Sequence, residues 1–532
     1  MQRIIASVSS LINRPNTKFL PERSKFEETL KISIKPTDVS FEGTVLLEAI
    51  YDNPNHWLRI ALLFAALGIE WSKTSAIVGG KREKLQTKTL RNFGVAETIP
   101  LGHLNRRNPN WRKNIGIAKT LISKVNTQKD ILELALPFKM PAVFLYDAII
   151  REQRSPIVEI SDKKLVNIIA EFLCHVDLAY QEIRRVKPQL IVCEGIGFLF
   201  PLLWIGLDQG LPVVVPYGEH GNCRFWRIQN KREVFDFMDR MKNCEIQLLD
   251  PVQQLKLEKI GEKAIQRRLN GEAIDISVRY AYQNKKQHIE RSVICEFFNW
   301  DPNKDIVVIY MATLFDFPHF VGMSCFENYL DFIQSIVSTI RFNNTQNWLL
   351  KPHPMDEWYG GTSLEDVVEV NLYNHVKFVP TKWDSVALMH AVDRFVTYHG
   401  TIGIEATSMG KPVLVPEEGW YGDHGFVRMA ESRDHFLQLL TENWWQEMDI
   451  VQNASKAKQF AGAFWGRPNW QKTFVLSDDP DQWEIYKSAP ILIKNNLTEI
   501  ERELSMIRAW YSSHYTHYHC YKMSRASNYI ID

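Results

Sequence analysis

Short, continuously apolar segments recur along this chain, each bounded by turn residues and followed by a stretch of helical spacing. That alternation limits the fold more than any other feature, because strands apolar on both faces fit parallel sheets covered by helices on each side. In the first half, "GTVLLEAIYD" (43–52), "SAIVGG" (75–80), "PAVFLYD" (141–147), "PQLIVCEG" (188–195) and "LPVVVPYGE" (211–219) read as strands. The helices between them are "NPNHWLRIALLFAALGI", which opens on an Asn-Pro-Asn turn, a segment near 115–135, a long one over 162–187, and "FLFPLLWIGLDQG". A second series runs "KDIVVIYMATLFD" (304–316), "NWLLKPHP" (347–354), "VKFVP" (376–380), "RFVTYHG" (394–400) and "PVLVPEE" (412–418), with helices "FENYLDFIQSIVSTIRF", "WDSVALMHAV" and "TIGIEATSMG". The expected fold class is α/β, with two Rossmann-like domains facing a central cleft and C-terminal helices.

The expected boundaries are a leader over 1–40, a first Rossmann-like domain over 41–225, a charged helical connection over 226–300, a second Rossmann-like domain over 301–475 and a helical tail over 476–532. A length of 532 residues suits more than one domain. A formal charge of +1, from 63 basic and 62 acidic residues, removes any global electrostatic case for nucleic acid as a partner.

Seven cysteines without a CxxC spacing point to reduced thiols and a cytoplasmic setting. No secretory signal is read at the N-terminus. The longest apolar segment, "HWLRIALLFAALGIEW", carries Arg59 and falls short of the roughly 20 apolar residues a spanning helix needs. Peripheral association with a membrane is compatible with this. His514, His517, His519 and Cys520 crowd the tail, but their spacing matches no standard metal-ligand pattern.

Ligands of doubly wound folds bind outside the carboxyl ends of the strands, so polar residues there are the candidates. The second half offers Asp316 and His319, then Lys351 and His353 in "KPHP", then His399, Gly400 and Thr401, with Glu405 one turn into the next helix. A Gly-Thr turn entering a helix can receive a phosphate, and the same atoms can serve as an ordinary turn and N-cap. The prolines flanking His353 fix its direction, and Lys351 adds a cation. Together they can neutralise a nucleotide leaving group without a metal. The first half offers Asp147 and Arg151 in "YDAIIRE", Glu194 in "CEGIG", and Glu219, His220 and Arg224 in "YGEHGNCRFW". Asp147, Glu194, Glu219 and His220 are the catalytic candidates, while Arg151 and Arg224 can hold an acceptor.

The segments "VVIYMATLFDFPH", "WLLKPHP" and "FVTYHGTIGIEATSMGKPVLV" resemble the capsule and surface-polysaccharide biosynthesis glycosyltransferases of GT-B fold, which include bacterial Kdo transferases. More distantly they are similar to bacterial sialyltransferases. The resemblance covers roughly 304–440; in the first half it rests on "YDAIIR" and "CEGIGF...LPVVVPYGEHG".

It implies that His353 and Thr401 contact the nucleotide phosphate and that Glu405 lies near the ribose. Glu194 stands where sialyltransferases have an acidic-Gly motif, with Cys193 in place of the first acid. The Kdo transferases imply a carboxylate nucleophile, for which Glu219 and Asp147 both remain candidates. The implied partners are a nucleotide-sugar donor, such as CMP-Kdo, and a glycan or lipid-linked glycan acceptor, with no metal or other cofactor. The inner membrane or an assembly complex is the implied setting. Two enzyme alternatives share the fold: a glycerol- or ribitol-phosphate transferase of teichoic-type polymers, and a UDP-sugar-dependent glycosyltransferase. A degenerate binding subunit is a third.

Overall fold

A computed structural model describes residues 20–36, 40–50, 52–79, 82–101, 108–194, 201–217, 223–235, 242–272, 278, 281–282, 287–320, 322–369, 373–466, 482–513 and 515–518. Six strands of the first half, β1 (Val45–Ala49), β2 (Thr74–Val78), β3 (Glu97–Pro100), β4 (Leu190–Val192), β5 (Val213–Tyr217) and β6 (Arg224–Ile228), lie in one sheet. A second sheet contains β7 (Ile306–Tyr310), β8 (Asn347–Lys351), β9 (Val376–Phe378), β10 (Arg394–Thr397), β11 (Val413–Val415) and β12 (Arg428–Met429). The last strand, β13 (His517–Tyr518), returns to the first sheet.

The order of the first sheet is β13-β6-β5-β4-β1-β2-β3, parallel from β5 to β3 and antiparallel at β5–β6 and β6–β13. The second is parallel throughout in the order β12-β11-β10-β7-β8-β9. In each, the chain winds to one side of the first strand and then crosses to the other. The crevices therefore open between β1 and β4 and between β7 and β10.

Each sheet buries apolar side chains on both faces. On one face of the first, Leu47, Val192 and Val214 pack with Phe26 from helix Leu20–Ser33, Trp57 from helix Pro54–Leu67 and Ile507 from helix Leu497–Tyr511. The tail is thus part of the first half's core. Helix Pro54–Leu67 begins where sequence chemistry places it: Asn53 accepts from the Asn55 N–H, Pro54 takes the first turn, and Gly68 at φ 67° ends it.

Two local expectations change. "PAVFLYD" is not a strand but the start of helix Ala142–Gln153. Its buried Leu145, Tyr146, Ile149 and Ile150 fall on one helical face, and an apolar run of that length fits either period. Asp147 therefore sits on a helix rather than at a strand end. "RFWRI" forms β6, where no strand was read. In the second sheet β7 lies between β8 and β10, so the "KPHP" and "HGT" turns stand on either side of it.

Helix Pro251–Leu269 packs along helix Ile450–Phe464 at backbone contact distance. A Cβ on Gly261 would fall 1.8 Å from the Lys458 carbonyl oxygen, and one on Gly462 would fall 2.0 Å from that of Leu257. Two glycines make this crossing possible.

Candidate functional site

A cavity of about 700 Å³ opens at the second-sheet crevice. Thr313 reaches it from the loop after β7, Lys351 and His353 from the end of β8, His399, Gly400 and Thr401 from the loop after β10, and Glu417 from the loop after β11. The parallel sheet brings these strand ends to one rim, although up to 104 residues separate Thr313 from Glu417 in sequence (417 − 313).

His353 is held by its neighbours. Its Nδ1 accepts from the Met355 N–H at 3.3 Å and stands 3.1 Å from Thr313 Oγ1. An Nδ1 that accepts leaves the proton on Nε2, so the imidazole carries a donor. Thr313 donates to Asp356 Oδ1 at 2.8 Å, and the other Asp356 oxygen accepts from the His353 N–H at 3.1 Å. Burial pushes Asp356 up to about 6 against these hydrogen bonds. Lys351 is buried within β8, its Nζ 5.6 Å from the centre of the Tyr310 ring.

The Gly400–Thr401 turn is pinned from behind. Tyr421 donates its hydroxyl to the Gly400 carbonyl at 2.8 Å, and Trp420 Nε1 donates to the His399 carbonyl at 2.7 Å. A Cβ at Gly403 would meet the Tyr421 hydroxyl at 2.2 Å, so this position must be bare for the tyrosine to reach the turn. Thr401 precedes the short helix Ile402–Ser408.

Glu405 is 1% exposed. Arg268 Nε donates to its Oε1 at 2.9 Å, and the Tyr282 hydroxyl donates to Oε2. The Arg268 guanidinium lies 3.9 Å from the centre of the Trp465 ring. The connection between the halves thus reaches the wall of this cavity through Tyr282, with Arg268 behind Glu405.

His399 Nε2 lies 3.3 Å from Glu417 Oε1, an electrostatic contact rather than an aligned hydrogen bond. The N–H groups of Ser324 and Cys325 also donate to Glu417, at 3.1 and 3.0 Å. Burial works to raise the Glu417 carboxyl, but interactions with His399, Ser324 and Tyr398 hold it down at about 2.

Asp316 and His319 turn toward the first half. Asp147 Oδ1 lies 2.7 Å from His319 Nδ1, and its Oδ2 accepts from the Phe320 N–H at 2.9 Å. Arg151 Nη1 pairs with Asp316 Oδ1 at 3.1 Å and spreads its guanidinium over Tyr359 at 4.3 Å. Burial raises Asp316, and the Arg151 charge opposes that rise. Asp147 and Arg151 therefore bridge the two halves.

The first-half crevice holds Glu194 just beyond β4. Its Oε2 accepts from the Ile50 N–H at 3.0 Å, and its Oε1 lies 2.8 Å from His56 Nε2. The Glu194 N–H donates to Glu48 Oε2 at 3.1 Å, and complete burial followed by the Glu194 charge pushes Glu48 well above the carboxylate range. Arg224 begins the antiparallel β6 opposite Tyr217. Glu219 and His220 lie outside the described residues, as do His514, His519 and Cys520. His517 stacks on Trp226 at 5.7 Å and hydrogen-bonds the Tyr217 hydroxyl at 3.0 Å.

Residues 264–442 match the family described as "Capsule polysaccharide biosynthesis protein". That span holds Arg268, Thr313, Lys351, His353, Thr401, Glu405 and Glu417; Asp147 and Glu194 lie before it. No curated protein matches the chain. Among solved structures, similarity extends to a β-Kdo 2,4 transferase of Thermosulfurimonas dismutans, at 12% identity over 52% of this chain and 79% of that one, with a TM-score of 0.32. The UDP-GlcNAc 2-epimerase of Neisseria meningitidis is similar at 12% identity over 86% and 100%, with a TM-score of 0.23. The N-terminal domain of trehalose-6-phosphate phosphatase from Candida albicans is similar at 10% over 87% and 98%, with a TM-score of 0.33. None of these scores adds to what the two sheets already show.

Within residues 264–442, sequence reasoning missed Arg268, Tyr282, Thr313 and Glu417. Glu417 is the first of the two glutamates that close "PVLVPEE", and the strand-end rule that selected His353 would have selected it too. Arg268 carries no such signal, because it comes from a charged helix outside both sheets. Among the described residues, no helix is long and apolar enough to cross a membrane.

Proposed function

We propose that the protein is a metal-independent glycosyltransferase that moves an acidic sugar of the Kdo type from a CMP donor onto a surface polysaccharide or its lipid-linked precursor. The observation that carries this reading is the convergence of Lys351, His353 and the Gly400–Thr401 turn on one cavity of the capsule-synthesis segment. These groups suit a phosphate leaving group: Lys351 supplies charge, His353 a donor N–H, and the turn a hydroxyl and backbone N–H groups. Departure of the nucleotide puts negative charge on the phosphate, and donors already in place stabilise that charge without reorganising.

The charge balance supports a monophosphate link over a diphosphate. Lys351 is accompanied in the lining by Asp316, Glu405, Glu417 and Glu418. Arg151 offsets Asp316 and Arg268 offsets Glu405, while Glu417 stays ionised. A wall of this kind favours a donor that brings one phosphate charge rather than two. The acceptor enters from the first-half side, where the seam around Asp147 and Arg151 adjoins the cavity.

Calorimetric titration of the purified protein with CMP, CDP, UMP and UDP tests the donor class, and CMP release from CMP-Kdo in the presence of a lipid-linked glycan tests transfer. Tightest binding by CMP is expected. A preference for UDP would replace the proposed donor with a UDP-sugar, and no nucleotide binding would remove the transferase reading.

A further inference from the structure

Helix Pro251–Leu269, whose inner side makes the glycine crossing, has an outer face that the fold does not use. Leu248, Val252 and Leu255 are 79%, 65% and 52% exposed, three large apolar side chains in one short stretch of chain. Exposed apolar residues scattered singly are ordinary, but a cluster marks a contact surface. The buried side of the same stretch is already filled, since Ile246, Leu249 and Leu257 pack with Ala463 from helix Ile450–Phe464. Gln254 Nε2 donates to the Leu249 carbonyl at 2.9 Å, which ties the turn carrying Leu248 to the start of the helix. The three outward side chains thus form one apolar tip with no part in the core.

Charge along the helix is sorted as well. Lys256, Lys259, Lys263 and Arg267 recur at spacings of three and four, a single exposed stripe that continues the line of Val252. The two acidic residues of the helix lie to one side of that stripe, against the neighbouring helix. There Glu258 accepts from Ser455 Oγ at 2.6 Å and Glu262 from Lys458 Nζ at 3.2 Å. Helix Ile450–Phe464 itself contains no Asp or Glu. A chain with a formal charge of +1 therefore carries a local basic face with an apolar end.

We propose that this face docks the protein on an anionic phospholipid surface, with Leu248, Val252 and Leu255 entering the headgroup layer and Lys259, Lys263 and Arg267 lying against lipid phosphates. Charge alone suits any polyanion. The apolar tip selects a lipid surface, because nucleic acid offers no apolar layer to exposed leucines. The 19 residues of the helix extend about 28 Å, and Arg268 near its far end turns inward to hold Glu405 in the cavity wall. Docking along this helix keeps the cavity near the surface in which a lipid-linked acceptor resides.

The test mixes the full chain with vesicles of phosphatidylcholine, alone or mixed two to one with phosphatidylglycerol, and measures co-sedimentation. The protein should bind only the phosphatidylglycerol vesicles, and less as salt rises. The variant Lys259→Gln/Lys263→Gln/Arg267→Gln should lose about a hundredfold in vesicle affinity, at about fivefold for each basic residue near an anionic surface. Leu248→Ser/Val252→Ser/Leu255→Ser should lose about tenfold or more. Both variants should melt with the wild type, since all six side chains are exposed. No binding to the phosphatidylglycerol vesicles overturns the proposal, as does wild-type affinity in either variant. Dimers that the apolar variant dissociates, with vesicles left unbound, assign the face to a second copy of the chain instead. Vesicle binding needs no nucleotide sugar, so failure of the transferase reading leaves this test intact.

Discussion

Arg268 and Glu405 stand 137 residues apart in sequence and 2.9 Å apart in the fold, Nε donating to Oε1. Both side chains are almost wholly enclosed, at 6% and 2% exposure, so each charge depends on the other. Arg268→Met strands a buried carboxylate and should cost about 3–5 kcal/mol. Adding Glu405→Gln to it should recover part of that loss, because the stranded charge is gone. Urea unfolding of the two single variants and the double variant gives the coupling directly.

The glycine crossing between helices Pro251–Leu269 and Ile450–Phe464 should tolerate no side chain. Gly261→Ala drives a methyl group into the Lys458 carbonyl, and neither backbone can yield without separating the helices. A loss of about 1–3 kcal/mol or more is expected. Gly116→Ala, where the added Cβ meets nothing within 4 Å on an exposed helix, should instead stabilise by about 0.5–1 kcal/mol. Paired denaturation curves separate the two.

Loss of the leaving-group donors should slow transfer without unfolding the protein. His353→Ala and Thr401→Ala are each expected to lower kcat about a hundredfold, the usual cost of removing one aligned donor from a developing charge. Steady-state kinetics and a thermal melt check both halves of the statement. Full turnover in both variants would place the phosphate elsewhere.

Glu417 makes part of the stability acid-sensitive. Its folded pKa of about 2 lies below the ordinary value of 4.5, so the unfolded chain binds the proton more readily as pH falls. Its contribution is complete above pH 4.5 and fades as pH falls from 4.5 toward 2. Glu417→Gln should therefore be less stable than wild type at neutral pH, with the gap narrowing across that window. Unfolding free energies at several pH values measure it.

The local chemistry of the chain determined much of this by itself. Continuous apolar runs such as "IVVIY" leave a parallel strand few alternatives, and Asn53-Pro54 with Gly68 mark both ends of a helix. The strand-end rule selected Lys351, His353 and Thr401, which do line one cavity, because a parallel sheet gathers its carboxyl ends whatever their separation in sequence. "PAVFLYD" shows where the local signal stops: its apolar run satisfies two periods, and packing chose the helix, which carries Asp147 to the seam. Only the tertiary structure decided the partners. Arg268 meets Glu405, Asp147 meets His319, and the tail closes the first core, since a charge or an apolar face specifies the kind of partner it needs and the folded chain settles which residue supplies it.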